Sequence, residues 1–385
     1  MIPYGRQHIE QGDIDAVVEV LRSDFLTQGP RVVEFERCVA AYVEATHGVA
    51  VNSATSALHI ACMALDLGPG DWLWTASNTF LASANCGRYC GASVDFVDID
   101  PLTYNMSVPA LAAKLVQAEQ QGRLPKVVVP VHFAGQSCDM RGIAELAARY
   151  GFKVIEDASH AIGARYLDRP VGNCAYSDIT VFSFHPVKIV TTAEGGLCTT
   201  RDAGLAQKME LARSHGMTRL PELMEGESEG PWYYQQVSLG YNYRLTELQA
   251  ALGLHQMQSV DRFVARRHAL AERYDQLLAG LPLKRPHQTP DSYSALHLYP
   301  VVLDDAGQRH RVFEGMRAAG ILVNVHYIPV HLQPYYRRLG SQPGDCPQAE
   351  AYYAGTISLP LYYDLGEAQQ DHVVAALAAL LSAGK

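Results

Sequence analysis

Lys153-Val154-Ile155-Glu156 and Ile179-Thr180-Val181-Phe182-Ser183-Phe184 are short apolar runs, followed at once by Asp157 and by His185. Runs of this length and composition predict buried strands. Around them, from about residue 50 to 200, apolar runs alternate with amphipathic stretches. Ser56 to Leu67 (SALHIACMALDL) has apolar residues at helical spacing, Val127 to Val131 is valine-rich, and Met140 to Tyr150 has the pattern of an amphipathic helix. Strands alternating with helices predict an α/β fold with a mostly parallel sheet covered on both faces. Ligands of such sheets gather at the carboxyl ends of the strands. Asp157 and His185 stand just past two such ends, which makes them the first places to look for chemistry.

After Thr246 the pattern changes. Residues 246–281 are almost free of Gly and Pro, with Thr246 and Gln249 spaced as a capping box, so a long, kinked helix is expected. A Pro-rich connection, PLKRPHQTPDS, follows at 282–292. Beyond it, strands near 296–303 and 321–327 and helices near 308–319 and 367–382 predict a smaller α+β unit. The expected division is a large domain over 1–250, including the N-terminal segment, and a long connecting helix with a small domain over 251–385. The acidic stretch LPELMEGESEGP at 220–231 reads as a mobile surface loop.

Composition removes several function classes. Hydrophobic residues make up 48% and charged residues 18%, as in a globular chain. With 31 basic against 40 acidic residues, the net charge of -9 offers no broad basic surface for nucleic acid. No stretch approaches the roughly 18 apolar residues of a membrane-spanning helix. The opening Met1-Ile2-Pro3-Tyr4-Gly5-Arg6-Gln7 does not read as a secretory signal. The eight cysteines form no CxxC pair and the histidines no HExxH pattern. Buried thiols in a reducing cytoplasm are expected, with no metal site.

Three local patterns carry chemistry. The first is Ser183-Phe184-His185-Pro186-Val187-Lys188, followed by Thr191-Thr192-Ala193-Glu194-Gly195-Gly196. A lysine in a hydroxyl- and glycine-rich turn after a buried strand suits an amine that must attack an aldehyde, since burial frees its lone pair. The second is Glu156-Asp157-Ala158-Ser159-His160, whose Asp157 could ligate a metal, cap a helix or hold a protonated ring nitrogen. The third is Asn52-Ser53-Ala54-Thr55-Ser56, where small residues open a helix. Its free N–H groups and dipole make a phosphate seat, although ordinary capping by Ser53 or Thr55 would look the same. A phosphate seat, an acid and a lysine, all at strand ends, together point to pyridoxal phosphate (PLP).

The chain resembles the sugar aminotransferases of the DegT/DnrJ/EryC1/StrS family over essentially its whole length. The patterns above carry the resemblance, together with Ser23 to Pro30 (SDFLTQGP), Gly240 to Leu245 (GYNYRL) and Val325 to Pro329 (VHYIP). The resemblance implies a fold-type I PLP-dependent transferase with a large domain of the seven-stranded type. It implies Lys188 as the Schiff-base lysine and proton shuttle, and Asp157 on the ring nitrogen. Ala54, Thr55 and Ser183 would hold the phosphate, with Asn242 reaching it from the second subunit of a homodimer. Phe80 matches the position that stacks on the cofactor, with core packing as its alternative. His160 matches one that approaches the phenolic oxygen of PLP. Arg6, Thr27, His326 and Tyr327 are the expected substrate contacts. A finer match in Ile2 to Gln7, Leu26 to Pro30 and Pro231 to Tyr234 implies amino transfer from L-glutamate to C4 of a UDP-linked 4-keto-6-deoxy-2-acetamido sugar, with a dTDP- or GDP-linked keto-sugar, amination at C3, or a non-catalytic regulator of the same fold as the alternatives.

Overall fold

The computed structural model describes residues 1–382. Seven strands form its main sheet: β1 His47–Val51, β2 Trp72–Ala76, β3 Ser93–Val97, β4 Val127–Val129, β5 Lys153–Asp157, β6 Ile179–Ser183 and β7 Gly196–Thr200. Their order across the sheet is β1-β7-β6-β5-β4-β2-β3, parallel throughout except β7, which runs antiparallel to both its neighbours. Alternation along the strands feeds two cores. Val127, Val129, Ile155 and Val181 face one side with Leu58 and Ile60, whereas Val128 and Val154 face the other with Leu111 and Ile143. A strand apolar on both sides has no solvent face, which is why these segments are continuous apolar runs.

Helix α1, Ala54–Ala64, follows β1 directly, and α2, Ala82–Tyr89, follows β2 after a short loop. The long helix expected over 246–281 is present as two, α3 Glu247–Met257 and α4 Val260–Leu277. The break falls at Gln258 and Ser259, where Ser259 leaves helical geometry with ψ near 2°. Thr246 and Gln249 form both halves of the capping box.

The C-terminal part builds its own layer: a three-stranded antiparallel sheet of Leu283–Lys284, Tyr299–Leu303 and Thr356–Leu359, with helices Arg309–Ala318 and Glu367–Ser382. Tyr299, Val301, Val312, Met316 and Leu377 fill its core. The start of the chain also belongs to this layer. Ile2–Pro3 pairs in parallel with Ile321–Leu322, and Ile2 packs into the same core. The strand expected to run to 327 stops at Leu322, and the chain then leaves the layer to cross the carboxyl ends of the main sheet. Along the way the Tyr327 N–H donates to Asn78 Oδ1 and the Val330 N–H to Ser77 O. Residues 220–231 lie on the surface, with one 3-10 turn at Pro221–Leu223.

Candidate active site

A cavity of about 580 Å³ opens over the carboxyl ends of β1, β2, β5 and β6. Nine of the expected site residues line it: Ala54, Thr55, Phe80, Asp157, His160, Ser183, Lys188, His326 and Tyr327. Positions 54 to 327 are far apart in sequence, and the sheet brings them together because consecutive strands deliver their ends to one edge.

The start of α1 leaves backbone N–H groups free, as a phosphate seat would require. Ser53 caps α1 by accepting the Ser56 N–H at 3.1 Å, while the N–H groups of Ala54 and Thr55 have no protein acceptor among the described residues. Gly196, the first residue of β7, lets the helix start approach: a Cβ there would lie 2.5 Å from Ala54 N. Ser183, at the end of β6, closes the cup.

Asp157 ends β5 and is 5% exposed. Its Oδ2 accepts from Ser83 Oγ at 2.7 Å and its Oδ1 from the Ser159 N–H at 3.1 Å. Ser83 sits on α2 and in turn pairs with Thr79 at 2.8 Å. Two neutral donors leave a buried carboxylate short of compensation, so a cationic N–H facing it would complete the site.

Lys188 hangs from a turn fixed at both ends. The Lys188 N–H donates to His185 O at 2.9 Å, the Thr192 N–H to Phe184 O at 2.9 Å, and the Phe184 N–H to Gly195 O at 3.0 Å. Burial of the amine lowers its pKa to about 8 against an opposing pull from the Asp157 carboxylate. The free base is therefore accessible near neutral pH, as a nucleophile and proton carrier requires.

This depression has a stability consequence. Below pH 8 the folded and unfolded chains both carry the ammonium, and the folded one bears the whole cost of enclosing it. Between about 8 and 10.5 only the unfolded chain keeps the proton, so stability rises with pH there. In the PLP-free protein, Lys188→Met is expected to be about 1–3 kcal/mol more stable than wild type at pH 7, with the margin shrinking toward pH 10.5. Denaturant melts at the two pH values check this, and a margin constant with pH would contradict it.

The remaining walls come from the crossing segment. Burial, with Lys188 adding, lowers the His326 pKa to about 3, so its imidazole is neutral, and Nδ1 lies 2.8 Å from Ser358 Oγ. Phe80 is 58% exposed on the isolated chain, which counts against a core role and leaves an aromatic face at the cavity. Three expected residues are not in the cavity of their own chain. Arg6 and Thr27 are exposed, and Thr27 is held on the surface by bridging Thr246. Asn242, also exposed, bridges Ser214. Conversely, Tyr4, Ser159, Glu194 and Asn324 line the cavity without having been given a role in the sequence, although Ser159 and Glu194 stand inside two of the patterns that carry chemistry. Asn324 sits one residue before the VHYIP segment. Ser83 gives no sequence signal at all, because its partner is 74 positions away.

The residues fit PLP: an amine for the aldehyde, a carboxylate for the ring nitrogen, free N–H groups for the phosphate and an aromatic ring at the cavity wall. The sequence model of the DegT/DnrJ/EryC1/StrS aminotransferase family matches residues 7–378.

The chain belongs to this family.

Among its relatives, the spore coat polysaccharide biosynthesis protein SpsC of Bacillus subtilis is 40% identical over 98% of this chain and 96% of its own length. A UDP-4-amino-4,6-dideoxy-N-acetyl-beta-L-altrosamine transaminase of Campylobacter jejuni is 36% identical, over 95% of this chain and 93% of its own. The solved structure of Helicobacter pylori PseC, an aminotransferase of pseudaminic acid biosynthesis, superposes with a TM-score of 0.91 at 29% identity, covering 99% of both chains. The protein is accordingly a PLP-dependent nucleotide-sugar aminotransferase of fold type I. No helix among the described residues is long and apolar enough to cross a membrane.

Proposed function

We propose that the chain transfers the amino group of L-glutamate to C4 of a UDP-linked 4-keto-6-deoxy-2-acetamido sugar, of the kind used in pseudaminic acid-type synthesis. The observation that carries this is the likeness to PseC of pseudaminic acid biosynthesis, at a TM-score of 0.91, joined by 36% identity to a transaminase named for a UDP-linked 4-amino-4,6-dideoxy sugar. Supporting it is a cavity lined by Lys188, Asp157, Ala54, Thr55 and Ser183. When bound, PLP supplies a ring that withdraws electrons from the carbon carrying the amino group.

The chain's own residues do the rest. Lys188 would hold the cofactor covalently through Nζ; once the donor amine displaces it, the free Nζ would carry a proton from the donor α-carbon to the cofactor and, with the keto-sugar in place, from the cofactor to C4 of the sugar. One base serves both substrates because both are presented to the same face. Asp157 holds the ring nitrogen protonated. Ala54, Thr55 and Ser183 bind the phosphate, Phe80 covers the ring, and His326 and Tyr327 line the sugar side.

Asn242 lies outside the cavity of its own chain, so we assign it to the phosphate of a neighbouring subunit in a homodimer. Mixing Lys188→Ala with Asn242→Asp protomers is expected to restore activity in hybrid dimers, since one site of each hybrid is intact. Hybrids that form but stay inactive would place Asn242 elsewhere. The eight free thiols suit a cytoplasmic location, and fractionation that recovers the protein from an oxidising compartment would contradict it.

The substrate assignment is tested with glutamate and matched concentrations of UDP-, dTDP- and GDP-linked 4-keto-6-deoxy sugars. The UDP compound is expected to lead in kcat/KM by at least about tenfold. A dTDP or GDP preference, or amination at C3, overturns the substrate and leaves the family activity standing.

A further inference from the structure

A second cavity, of about 170 Å³, lies near the start of β2 and shares no lining residue with the catalytic one. Three elements build it. Trp72 and Trp74 stand two apart on β2, so both point to the same face of the sheet. Asp95 is directly opposite Trp74 on β3 and shares that face. The helix Val108–Gln120 covers it, bringing Lys114 and Gln117 to the cavity at helical spacing, and Gln121 and Arg123 follow just past its end. Lys114 is already paired. Its Nζ lies 2.9 Å from the Asp95 carboxylate, donates to Phe96 O at 2.8 Å and stands 5.3 Å from the centre of the Trp74 ring.

Two donors of this cavity are not paired in that way. Trp74 is 2% exposed, and its indole N–H has no acceptor among the described residues. A buried N–H without a partner is costly, and native folds seldom keep one unless something outside the chain satisfies it. The Arg123 guanidinium lies 5.7 Å from the centre of the Trp72 ring and donates to Gln121 Oε1, but no carboxylate among the described residues pairs with it.

These features specify a ligand class. Lys114 and Arg123 against Asp95 leave one positive charge at the cavity, which matches a monoanion. A dianion such as phosphate would bring a second negative charge up to the Asp95 carboxylate with nothing to offset it. A carboxylate has two acceptor oxygens, one for an indole N–H and one for a guanidinium N–H. A cavity of about 150 Å³ takes a benzene-sized molecule, so this one admits a small acid and excludes a nucleotide sugar. We propose that the cavity binds a small monocarboxylate, with Trp74 Nε1 and Arg123 as its donors and the Trp72 ring beside its carbon chain. The site is separate from the cofactor seating and does not depend on it.

The test follows the indole protons of the PLP-loaded protein in a proton–nitrogen NMR spectrum. The chain has three tryptophans, Trp72, Trp74 and Trp232, and the variants Trp72→Phe and Trp232→Phe assign their signals without altering Trp74. Propionate, titrated against sodium chloride at constant ionic strength, should move the Trp74 signal downfield along a saturable curve, as for a proton newly engaged by an anion. Phosphate at the same concentrations should leave it in place. Arg123→Gln, at an exposed position, should weaken the propionate Kd by about tenfold, as for one lost charged hydrogen bond. An unmoved Trp74 signal overturns the proposal and leaves a cavity that holds only water. An equal response to phosphate overturns the carboxylate class, and unchanged affinity in Arg123→Gln overturns the site. The visible cofactor band, recorded in the same titration, reports any propionate that enters the catalytic cavity. A Trp74 shift that tracks that band and ignores Arg123 would also overturn the separate site.

Discussion

Lys188→Ala is expected to lower turnover by about 10⁴-fold or more, because one side chain supplies the covalent tether and the proton carrier for both half-reactions. The fold should survive. Lys188 projects into an open cavity, and the turn that carries it is held by the backbone bonds at Phe184, Thr192 and Gly195. Single-turnover assays with glutamate alone and with the keto-sugar alone should both collapse, while the melting temperature of the PLP-free protein does not fall. Borohydride reduction of the wild-type holoenzyme should fix PLP on the peptide containing Lys188. Label on a different lysine would remove the assignment.

The second large effect is expected at Asp157. Its two carboxylate oxygens accept from two separate donors, Ser83 Oγ and the Ser159 N–H. Asparagine has only one acceptor oxygen. With its oxygen kept on the Ser159 N–H, the amide turns its NH₂ toward Ser83 Oγ, which can accept by turning its own proton to Thr79. No negative charge remains, however, to hold a ring nitrogen protonated. Asp157→Asn should therefore cost on the order of 10²–10³-fold in kcat. PLP affinity should fall about tenfold, as for one hydrogen bond to a charged group. Rate measured at saturating PLP separates the two effects. An asparagine variant with near wild-type kcat would exclude the proposed contact.

Much of the site was legible as sequence because it lies where local patterns are strongest. Each of Asp157, Ser183 and Lys188 follows or ends a run apolar enough to be read as a buried strand, and Ala54 and Thr55 open a helix whose apolar spacing is plain. The N-cap at Ser53 and the capping box at Thr246 are local too, depending on residues three apart. Ser83 and Tyr4 were not legible. The first matters only through a carboxylate 74 residues away, and the second only because the start of the chain pairs with residues near 321. The long helix was legible as helical sequence but not as two helices. Its break at Gln258 and Ser259 involves no Gly or Pro, the residues that usually announce one.

What the sequence determined by itself was the fold class and the family, and it singled out Lys188 and Asp157 as candidates, since each is written in short segments whose periodicity and residue types are read locally. Only the tertiary structure decided which wall of the cavity each remaining residue forms. It placed the 324–327 segment across the strand ends, left Arg6, Thr27 and Asn242 outside their own chain's cavity, and set Ala134 N–H against His160. The physical reason is that orientation and protonation depend on contacts between distant strands. A histidine's tautomer follows from the one donor the fold places beside it, and neither residue in that pair announces the other.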